Sequence, residues 1–394
     1  MSVDVERPTV PAPRTCPYTP PDLHRALYDR HAVVPATLPG GRAGWAVTDL
    51  PTIRAMLVDP RFSSDRGRPG FPQYAEGHHL WLISMDAPEH TRARRDVITE
   101  FTSRRMEALR TAVERIVHER IDAMLAGPRP VDLVRALSLP VPSSVICALL
   151  GVPYQDHELF EERTRALVEN DPAVILKAAA DIRAYLGELV RAKQRDPDPA
   201  DLLGRQVLKL RAEGREDHGD LVELAFILLV AGHETTANMI SLSALALIRD
   251  PALADALRSA PERIPAAVEE LLRLFTIVES PLSRIATEDV ELAGVHIRAG
   301  DGVIALATTG NHDPSLFPEP ERILLGRDSR KHIAFGHGPH QCLGKSLARV
   351  ELQVTLSALV TRIPGLRLAE PDGPLRLKTV QRVFGLDRLP VTWG

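Results

Sequence analysis

Cysteine is scarce in this sequence of 394 residues: only Cys16, Cys147 and Cys342 occur, and they are widely spaced. An odd, scattered set argues against a disulfide framework and is typical of a reducing compartment. The formal net charge is only −4 and no block of basic residues occurs, so nucleic acid is not an expected partner. Internal repeats and low-complexity tracts are also absent from the sequence. The length by itself allows one large domain or two to three smaller ones.

The N-terminal residues lack a long apolar run. Residues 1–7 contain no apolar core of the signal-peptide type, so we expect no signal peptide, no membrane anchor and a cytoplasmic location. Residues 1–21 are proline-rich and polar, which predicts an irregular lead-in along the surface. Because no clear linker follows, we interpret residues 1–394 as a single, mainly helical domain.

The remaining patterns are mostly helical, with a few short strands. Helical periodicity dominates from Arg104 to Arg191, with breaks near Gly127 and Gly151. Residues 44–47 predict a strand and residues 50–57 a short helix. Alternating apolar residues over 290–297, followed by a glycine turn at 300–302, predict a small β-sheet. Residues 59–76 show little periodicity, as in a long loop that covers a pocket.

A glycine-rich stretch, Phe335–Gly344, contains the most informative cysteine. Apolar residues recur at helical spacing directly after Cys342, so this residue lies at or just before a helix N-terminus, where the thiolate is favoured over the thiol. Gly336, Gly338 and Gly344 allow a tight turn and a close approach to something flat and bulky. A thiolate held open beside such a surface suits an axial position of a haem iron.

Two other interpretations of Cys342 need weighing. A lone cysteine is usually a buried structural residue, but a glycine-lined loop is poor core material. A zinc site is conceivable because three histidines crowd the same run: His332, His337 and His340. Structural zinc usually takes its ligands as two short-spaced pairs far apart in the sequence, and no second pair occurs here.

The longest helical pattern runs from Asp220 to Ile248 and ends at Asp250-Pro251. Glu223 and the polar run 233–236 leave its apolar part too short to span a bilayer, so we expect a helix buried through a large protein.

The polar interruption of this helix predicts chemistry. The small residues Ala231 and Gly232 admit a flat cofactor, while Glu234 and Thr235 can hold water and relay protons beside a disturbed helical ladder. The alternative for Thr235 is a hydroxyl bonded back to its own helix. A zinc-protease motif would need histidine at position 237, which is alanine.

The cysteine stretch resembles the ligand loop of the cytochrome P450 haem-thiolate monooxygenases, Phe-x-x-Gly-x-(Arg/His)-x-Cys-x-Gly. Phe335, Gly338, His340, Cys342 and Gly344 fill every fixed position. The chain looks like a soluble bacterial member of the actinomycete secondary-metabolism type. The resemblance implies a mainly α fold with small β-sheets, and haem b between the long central helix and the helix after the cysteine loop.

The resemblance also implies site residues. The run Ala231–Thr236 is similar to the oxygen-activation motif, which implies that Glu234 and Thr235 support dioxygen activation and proton delivery. Contacts to the haem are implied for Ala231, Phe335, Gly336, His340 and Gly344. Cys342 is the implied iron ligand.

Haem propionates have further implied partners. His90 and Arg94 lie four apart on a helix that we expect to begin with Asp86 as its cap and Glu89 completing a capping box. With Arg284 and His340 they would balance two buried carboxylates. The alternatives are a solvated charged face for the first pair and an ordinary surface arginine for Arg284.

A structural pair is implied at Glu270 and Arg273, which occupy the place of the family's Glu-x-x-Arg motif. In that family a second arginine joins the buried pair. We predict Arg322 for this position, with Arg327 as the alternative. On an isolated surface helix the same spacing would mean little for stability.

The implied activity is insertion of one atom of O2 into an unreactive C–H or C=C bond. Candidate pocket residues are mostly apolar and predict a mid-sized hydrophobic substrate: Ile227, Val278, Glu279, Leu282, Val383 and Phe384. Two other functions remain open. One is a haem-thiolate protein that uses peroxide or rearranges its substrate without O2, and the other is a haem-binding sensor or carrier.

Nothing in the sequence resembles a flavin or iron–sulfur module, so electrons from NAD(P)H are expected through a ferredoxin and its reductase. A positive patch for docking, or simply a solvated surface, is expected near the cysteine loop: Arg104, Arg105, Arg330, Lys331, Lys345 and Arg349. We expect a monomer.

Overall fold

The computed structural model describes residues 7–72, 80–156, 160, 162–163, 166, 172–278, 282–378 and 383–394. Within these residues the α-helices, in chain order, are α1 (Asp22–Tyr28), α2 (Leu50–Val58), α3 (Glu89–Ile98), α4 (Ser103–Ala108), α5 (Arg110–Ala126), α6 (Pro140–Leu150), α7 (Pro172–Arg195), α8 (Leu202–Ala212), α9 (His218–Arg249), α10 (Pro251–Ser259), α11 (Ile264–Phe275), α12 (Ala307–Asn311) and α13 (Lys345–Arg362). The predicted mainly helical class is confirmed.

The strands are short. In chain order they are β1 (Val33–Leu38), β2 (Arg42–Val47), β3 (Phe62–Ser63), β4 (Val131–Asp132), β5 (Ser283–Ala286), β6 (Val290–Leu292), β7 (Val295–Ile297), β8 (Gly302–Ala305), β9 (Arg367–Leu368), β10 (Arg376–Leu377), β11 (Leu386–Arg388) and β12 (Pro390–Thr392). The chain divides into two compact units. Unit 1 comprises residues 1–96, 259–345 and 376–387, and unit 2 comprises residues 97–258, 346–375 and 388–394.

Unit 1 is built on a five-stranded sheet with the order β1-β2-β8-β5-β3. The predicted strand at 44–47 and helix at 50–57 are confirmed as β2 and α2. Strands β2 and β8 run parallel and place Gly44 opposite Gly302. A Cβ on Gly44 would lie 2.5 Å from the carbonyl oxygen of Gly302, so only glycine permits this pairing. The predicted small sheet at 290–297 is the β6–β7 hairpin, which turns at Ala293 and Gly294, both with positive φ.

The N-terminal lead-in was predicted only in part. Described residues 7–21 are irregular, as expected, but they do not simply cover the surface. Val10 is 1% exposed and Arg14 is 6% exposed. The Val10 N–H donates to the carbonyl of Thr37 at 2.9 Å, because β1 is an edge strand with unpaired backbone groups. The sequence pattern contains no sign of this pairing.

Unit 2 contains the long central helix, α9. The prediction of a helix over 220–248 is confirmed, since α9 spans His218–Arg249. Asp217 caps it by accepting a hydrogen bond from the Asp220 N–H at 3.1 Å, and Pro251 follows its end. The prediction that its apolar part is too short to cross a bilayer is wrong, because the helix is long and apolar enough to do so. However, 72% of its most apolar window is buried inside the protein. It is therefore a core helix of the kind predicted.

In the described part of the stretch predicted to be helical, between Arg104 and Arg191, a strand also occurs. Strand β4 pairs with β12, which pairs in turn with β9, to form a three-stranded sheet in unit 2. A π-helical turn over Val134–Ser138 then leads into α6. The predicted breaks hold: Gly127 caps α5, and Gly151 ends α6 with φ of 73°. Sequence periodicity missed β4 because its partner strand lies at the other end of the chain.

Candidate active site

The cysteine loop in unit 1 is shaped by two left-handed glycines, Gly336 (φ 68°) and Gly338 (φ 71°). The N–H of Cys342 donates to the carbonyl of Phe335 at 2.8 Å, which closes the loop on itself. Cys342 is exposed and precedes the first residue of α13 by three positions. Nothing lies within 4 Å of a Cβ built on Gly344, so the loop remains open beside the cysteine.

Glycine at position 338 was expected to allow close approach to a flat group, but the structure gives a different reason for it. A Cβ at this position would lie 2.8 Å from Cγ1 of Val58 and 3.0 Å from the carbonyl oxygen of Leu57. The loop therefore needs a small residue here because it packs against the end of α2. Close approach to a cofactor is not required to explain it.

Arg94 ties α3 to the cysteine loop. Its Nη2 donates to the carbonyl oxygen of Gln341 at 2.5 Å, immediately before Cys342. Burial lowers the pKa of Arg94, while the nearby Cys342 sulfur acts in the opposite sense because its thiolate favours the charged guanidinium. The reciprocal effect of this charge favours the thiolate at Cys342.

Four basic side chains that were predicted separately are brought together in unit 1: His90, Arg94, Arg284 and His340. The rings of His90 and His340 stack, with centroids 3.9 Å apart. Arg284 is 4% exposed. Burial, with repulsion from Arg284, His90 and Arg94, lowers the pKa of His340 to about 3. Burial also lowers the pKa of Arg284 to about 10, and Asp86 opposes that shift.

Asp86 lies at the start of the helix as predicted, since its carbonyl oxygen accepts a hydrogen bond from the His90 N–H at 2.8 Å, but its carboxylate does not act as the cap. The carboxylate of Asp86 instead accepts hydrogen bonds from the Ser63 hydroxyl and, at 2.8 Å, from the Ser64 N–H. The Ser64 hydroxyl lies 3.2 Å from Nε2 of His340. Sequence analysis missed Ser64, because a lone serine in an aperiodic loop carries no signal for such a contact.

This cluster fits a group that carries carboxylates. Nε2 of His90 is buried and has no hydrogen-bond partner among the described residues. A buried polar atom of this kind is costly unless a partner is supplied. Two carboxylates placed here would satisfy such atoms and offset the positive charge of the two arginines. In the part of the chain that the structure describes, no three His, Cys, Asp or Glu side chains converge as metal ligands, so the zinc interpretation gains no support.

The other predicted residues lie on α9 in unit 2. Ala231 is exposed, and Glu234 and Thr235 are half-buried, although the turns before and after them are buried. The predicted disturbance of the helical ladder is wrong, because α9 is continuous through this run. The Thr235 hydroxyl donates to the carbonyl oxygen of Ala231 at 2.6 Å, which is the back-bonded geometry weighed as the alternative.

The two residues before Glu234, Gly232 and His233, make packing contacts and hydrogen-bond contacts within unit 2. A Cβ on Gly232 would lie 2.9 Å from Cδ1 of Ile146, so a larger residue here would require that side chain of α6 to shift. His233 is 4% exposed and its Nε2 lies 3.2 Å from the carbonyl oxygen of Leu139. Helix α9 thus turns His233 into the interior of unit 2 and leaves Ala231 at the surface.

The structural pair is present, with a different third member. Arg273 and Glu270 are fully buried and bonded at 2.7 and 2.9 Å through two N–H groups of Arg273. The second arginine is Arg327, whose Nε donates to Glu270 at 2.9 Å. The prediction of Arg322 is wrong: its side chain pairs with Glu319, and only its backbone carbonyl reaches Arg273. Burial alone would raise the pKa of Glu270, but its hydrogen bonds hold that pKa below the ordinary value.

The predicted pocket residues in unit 1 lie on two paired segments. Val278 forms an isolated bridge with Val383, and the Phe384 N–H donates to the carbonyl of Ile277 at 2.8 Å. Leu282 is half-buried just before β5. Ile227 is buried on α9 of unit 2. Glu279 lies outside the described residues.

Comparison with known proteins identifies the class. The sequence profile of the cytochrome P450 family matches residues 20–363. The chain is 45% identical to cytochrome P450 105A3 of Streptomyces carbophilus, over 98% of this chain and 96% of that protein. The crystal structure of cytochrome P450 MoxA from Nonomuraea recticatena superposes with a TM-score of 0.94, 46% identity and 98% coverage of both chains. The mycinamicin VIII C21 methyl hydroxylase of Micromonospora griseorubida, solved with mycinamicin VIII bound, gives 0.90 and 43% identity, over 98% of this chain and all of that one.

The chain therefore belongs to the cytochrome P450 family and has its fold. It is a haem-thiolate monooxygenase that uses O2 and takes reducing equivalents from NAD(P)H through redox partners.

Proposed function

We propose that this cytochrome P450 hydroxylates or epoxidises a mid-sized hydrophobic natural product, as a tailoring enzyme of secondary metabolism. A relative 43% identical to it is a hydroxylase solved with mycinamicin VIII bound. The predicted pocket residues among those described are apolar: Ile227, Val278, Leu282, Val383 and Phe384. An apolar lining with few polar groups suits a substrate that is recognised by shape.

The observation that carries this proposal is the basic cluster beside an open cysteine loop, in which His90 and Arg284 are buried and the other two side chains are half-buried. We assign Cys342 as the iron ligand and the four bases as donors to the haem carboxylates: His90, Arg94, Arg284 and His340. We also assign haem contacts to Phe335, Gly336 and Gly344 in the cysteine loop, and to Ala231 on α9. When bound, the haem supplies the activation of dioxygen by a thiolate-ligated iron.

The protein's own part in the chemistry is to hold and deliver protons. The Glu234 carboxylate and the Thr235 hydroxyl are adjacent on α9, and both are half-buried, so water can reach them. The Thr235 hydroxyl holds its hydrogen toward the carbonyl of Ala231, one turn back, and a small rotation of the side chain redirects it. In this proposal Glu234 exchanges protons with water and Thr235 passes them on to the site.

The electrons come from a ferredoxin and its reductase in this proposal. Arg330 and Lys331 are exposed on unit 1, and Lys345 follows the cysteine loop with its ammonium held by Gln341. Arg104, Arg105 and Arg349 belong to unit 2, where Arg105 is paired with Glu100 at 2.6 Å and is less suited to a partner. Reversing the charge in Lys345→Glu should slow reduction by a surrogate ferredoxin about tenfold at low salt. Arg195→Glu, an exposed residue at the end of α7, is the control, and equal rates in both variants count against docking at the cysteine loop.

We further propose that the enzyme is a cytoplasmic monomer, which fractionation and gel filtration would check. We also propose that its two compact units unfold together as a single domain, which a single transition in urea would support. The proposed reaction is tested in two steps. First, compounds are screened for a shift of the haem absorption band. The best binder is then incubated with NADH, a surrogate ferredoxin and its reductase under isotopically labelled dioxygen. One labelled oxygen atom in the product is expected. A product without label, or turnover that needs only peroxide, contradicts the proposal.

A further inference from the structure

Arg14 is a buried arginine far from its partners in the sequence. Its side chain is 6% exposed in an irregular segment. Nη1 donates to the carbonyl oxygen of Phe275 at 2.5 Å and Nη2 donates to that of Pro17 at 2.5 Å. Nε lies 3.1 Å from the carbonyl oxygen of Cys16 and 3.2 Å from that of Thr19. The guanidinium thus joins the N-terminal segment to the end of α11 within unit 1.

The end of α11 has its own cap, so the role of Arg14 is not simply to terminate the helix. The N–H of Thr276 donates to the carbonyl of Leu272 at 3.1 Å, and its hydroxyl donates to the carbonyl of Arg273 at 2.6 Å. Arg14 binds the next carbonyl oxygens along the chain: that of Phe275 and, both at 3.5 Å, those of Leu274 and Thr276. Thr276 has φ of 38°, an unfavourable conformation for a β-branched residue that its surroundings must support.

The same guanidinium also contacts the second pocket segment. Its central carbon lies 4.4 Å from the centre of the Phe384 ring, in a cation–π contact that burial strengthens. Phe384 is hydrogen-bonded to Ile277 through its N–H, and the neighbouring residues Val383 and Val278 form a bridge. Arg14 therefore contacts both segments that carry predicted pocket residues. On the first segment it binds Thr276, two residues before Val278, and on the second it contacts Phe384, one residue after Val383.

The segment that carries Arg14 is anchored on both sides. Before it, Val10 is bonded to the backbone of Thr37 on β1. After it, Nε2 of His312 lies 3.2 Å from the carbonyl oxygen of Tyr18, and the Tyr18 ring packs at 5.7 Å from Phe275. A guanidinium held by an anchored segment can fix the position of what it binds, because its planar fork of donors permits little rotation.

We propose that Arg14 is a positioning residue for the substrate pocket: it sets the path of the chain at Val278 and Val383, so the N-terminal segment takes part in specificity. This inference rests on the proposed function, since it takes those two residues as pocket walls. Lysine in place of Arg14 keeps the charge but offers no planar fork, so the two segments should shift relative to each other.

Two haem ligands of different size test the positioning role of Arg14. Imidazole binds the haem iron but is too small to reach the pocket walls, whereas 4-phenylimidazole places a ring among them. In Arg14→Lys we expect the dissociation constant of 4-phenylimidazole to rise at least about fivefold, with that of imidazole within about twofold of wild type. Amide hydrogen exchange at residues 276–278 should also accelerate.

The matched control is Arg129→Lys. Arg129 makes the same two kinds of contact, stacking 4.5 Å from the Trp393 ring and donating to the Trp393 carbonyl at 2.8 Å, but in unit 2. This variant should lose thermal stability without changing the ratio of the two dissociation constants. An unchanged ratio in Arg14→Lys overturns the inference and assigns Arg14 a purely stabilising role. Should that variant fail to take up haem, Arg14→Gln, which retains an amide donor, is measured in the same way.

Measurements on the wild-type protein distinguish a failure of the proposed function from a failure of the role proposed for Arg14. Wild-type protein that binds no imidazole, or whose reduced form with carbon monoxide lacks the spectrum of thiolate ligation, contradicts the haem site itself. A wild type that passes both checks, with a variant that leaves the ratio unchanged, contradicts only the role of Arg14.

Discussion

The imidazole rings of His90 and His340 stack with their centroids 3.9 Å apart and their planes inclined by 24°. One ring is carried by the first turn of α3 and the other by the cysteine loop. Stacking fixes both rings beside Arg94 and Arg284. Ser64, in the loop after β3, contacts His340, and Asp86, just before α3, accepts a hydrogen bond from the Ser64 N–H. The cost of burying so much positive charge is offset if two carboxylates bind there.

Removing the His90 donor should loosen the haem. His90→Phe keeps an aromatic ring to stack on His340 but cannot donate a hydrogen bond. Since a hydrogen bond to a charged acceptor is worth about 1.5–3 kcal/mol, haem transfer to apomyoglobin should accelerate roughly tenfold or more. The spectrum of the haem that remains should be unchanged. His296→Phe alters an exposed histidine and serves as the control, and equal transfer rates for the two variants would show that His90 does not bind the haem.

Thr235→Ala should separate electron use from product formation. The variant removes the hydroxyl that we assign to proton transfer, so hydrogen peroxide release should rise while product per NADH falls on the order of tenfold. Thr235→Ser, which keeps the hydroxyl, should behave like wild type. The measurement is product and peroxide per NADH consumed, with the compound found by the absorption screen. Coupling that is equally good in the alanine variant would leave Thr235 with only its bond to Ala231.

Arg327 and Arg322 should differ sharply in their effect on stability. Arg327→Gln leaves the buried Glu270 carboxylate with one partner fewer, and breaking such a buried pair costs about 3–5 kcal/mol. Arg322→Gln removes an exposed pair with Glu319, which is worth less than about 1 kcal/mol. Urea unfolding of the holoenzyme measures both. Similar midpoints in the two variants would mean that Glu270 gains nothing from Arg327.

Glu351 should make stability depend on pH. The residue is 2% exposed on α13, and its Oε2 has no hydrogen-bond partner among the described residues. Burial raises the pKa of Glu351 from 4.5 to about 8. Between these two values the folded state binds more protons than the unfolded state, so this contribution to stability is complete below the lower value and lost as pH rises to the upper one.

Glu351→Gln removes that dependence. At pH above about 8 the variant should be more stable than wild type, by on the order of 2–4 kcal/mol, and the difference should shrink toward acid pH. Thermal unfolding at a series of pH values measures this. Glu119→Gln on an exposed face of α5 is the control. A constant difference across the pH range would show that Glu351 does not titrate within it.

Local signals in the sequence predicted the elements that depend on short-range physics. The extent of α9 follows from its apolar run and the proline after its end, and the structure agrees within two residues at each end. The same is true of β2, α2 and the glycine that ends α6. Asp86 shows the limit of such reasoning: its position fits a helix cap, but two serines more than twenty residues earlier compete for its carboxylate.

Arg14 shows what no local pattern reveals. A single arginine in a proline-rich segment looks like a solvated residue, and only the folded chain brings the end of α11 and the ring of Phe384 to it. Arg327 is a milder case, since two arginines were available and only the path of the loop decides which one reaches Glu270.

The sequence by itself determined the class of the protein, because the spacing around Cys342 and the run Ala231–Thr236 restrict backbone and chemistry over a few residues at a time. The tertiary structure decided which distant groups meet: the four bases of the cluster, the partner of Glu270, and the anchoring of the N-terminal segment. The physical reason is that these contacts depend on burial and on hydrogen bonds between segments far apart in the chain. Their energies follow from the surroundings that folding creates, and no stretch of sequence encodes those surroundings alone.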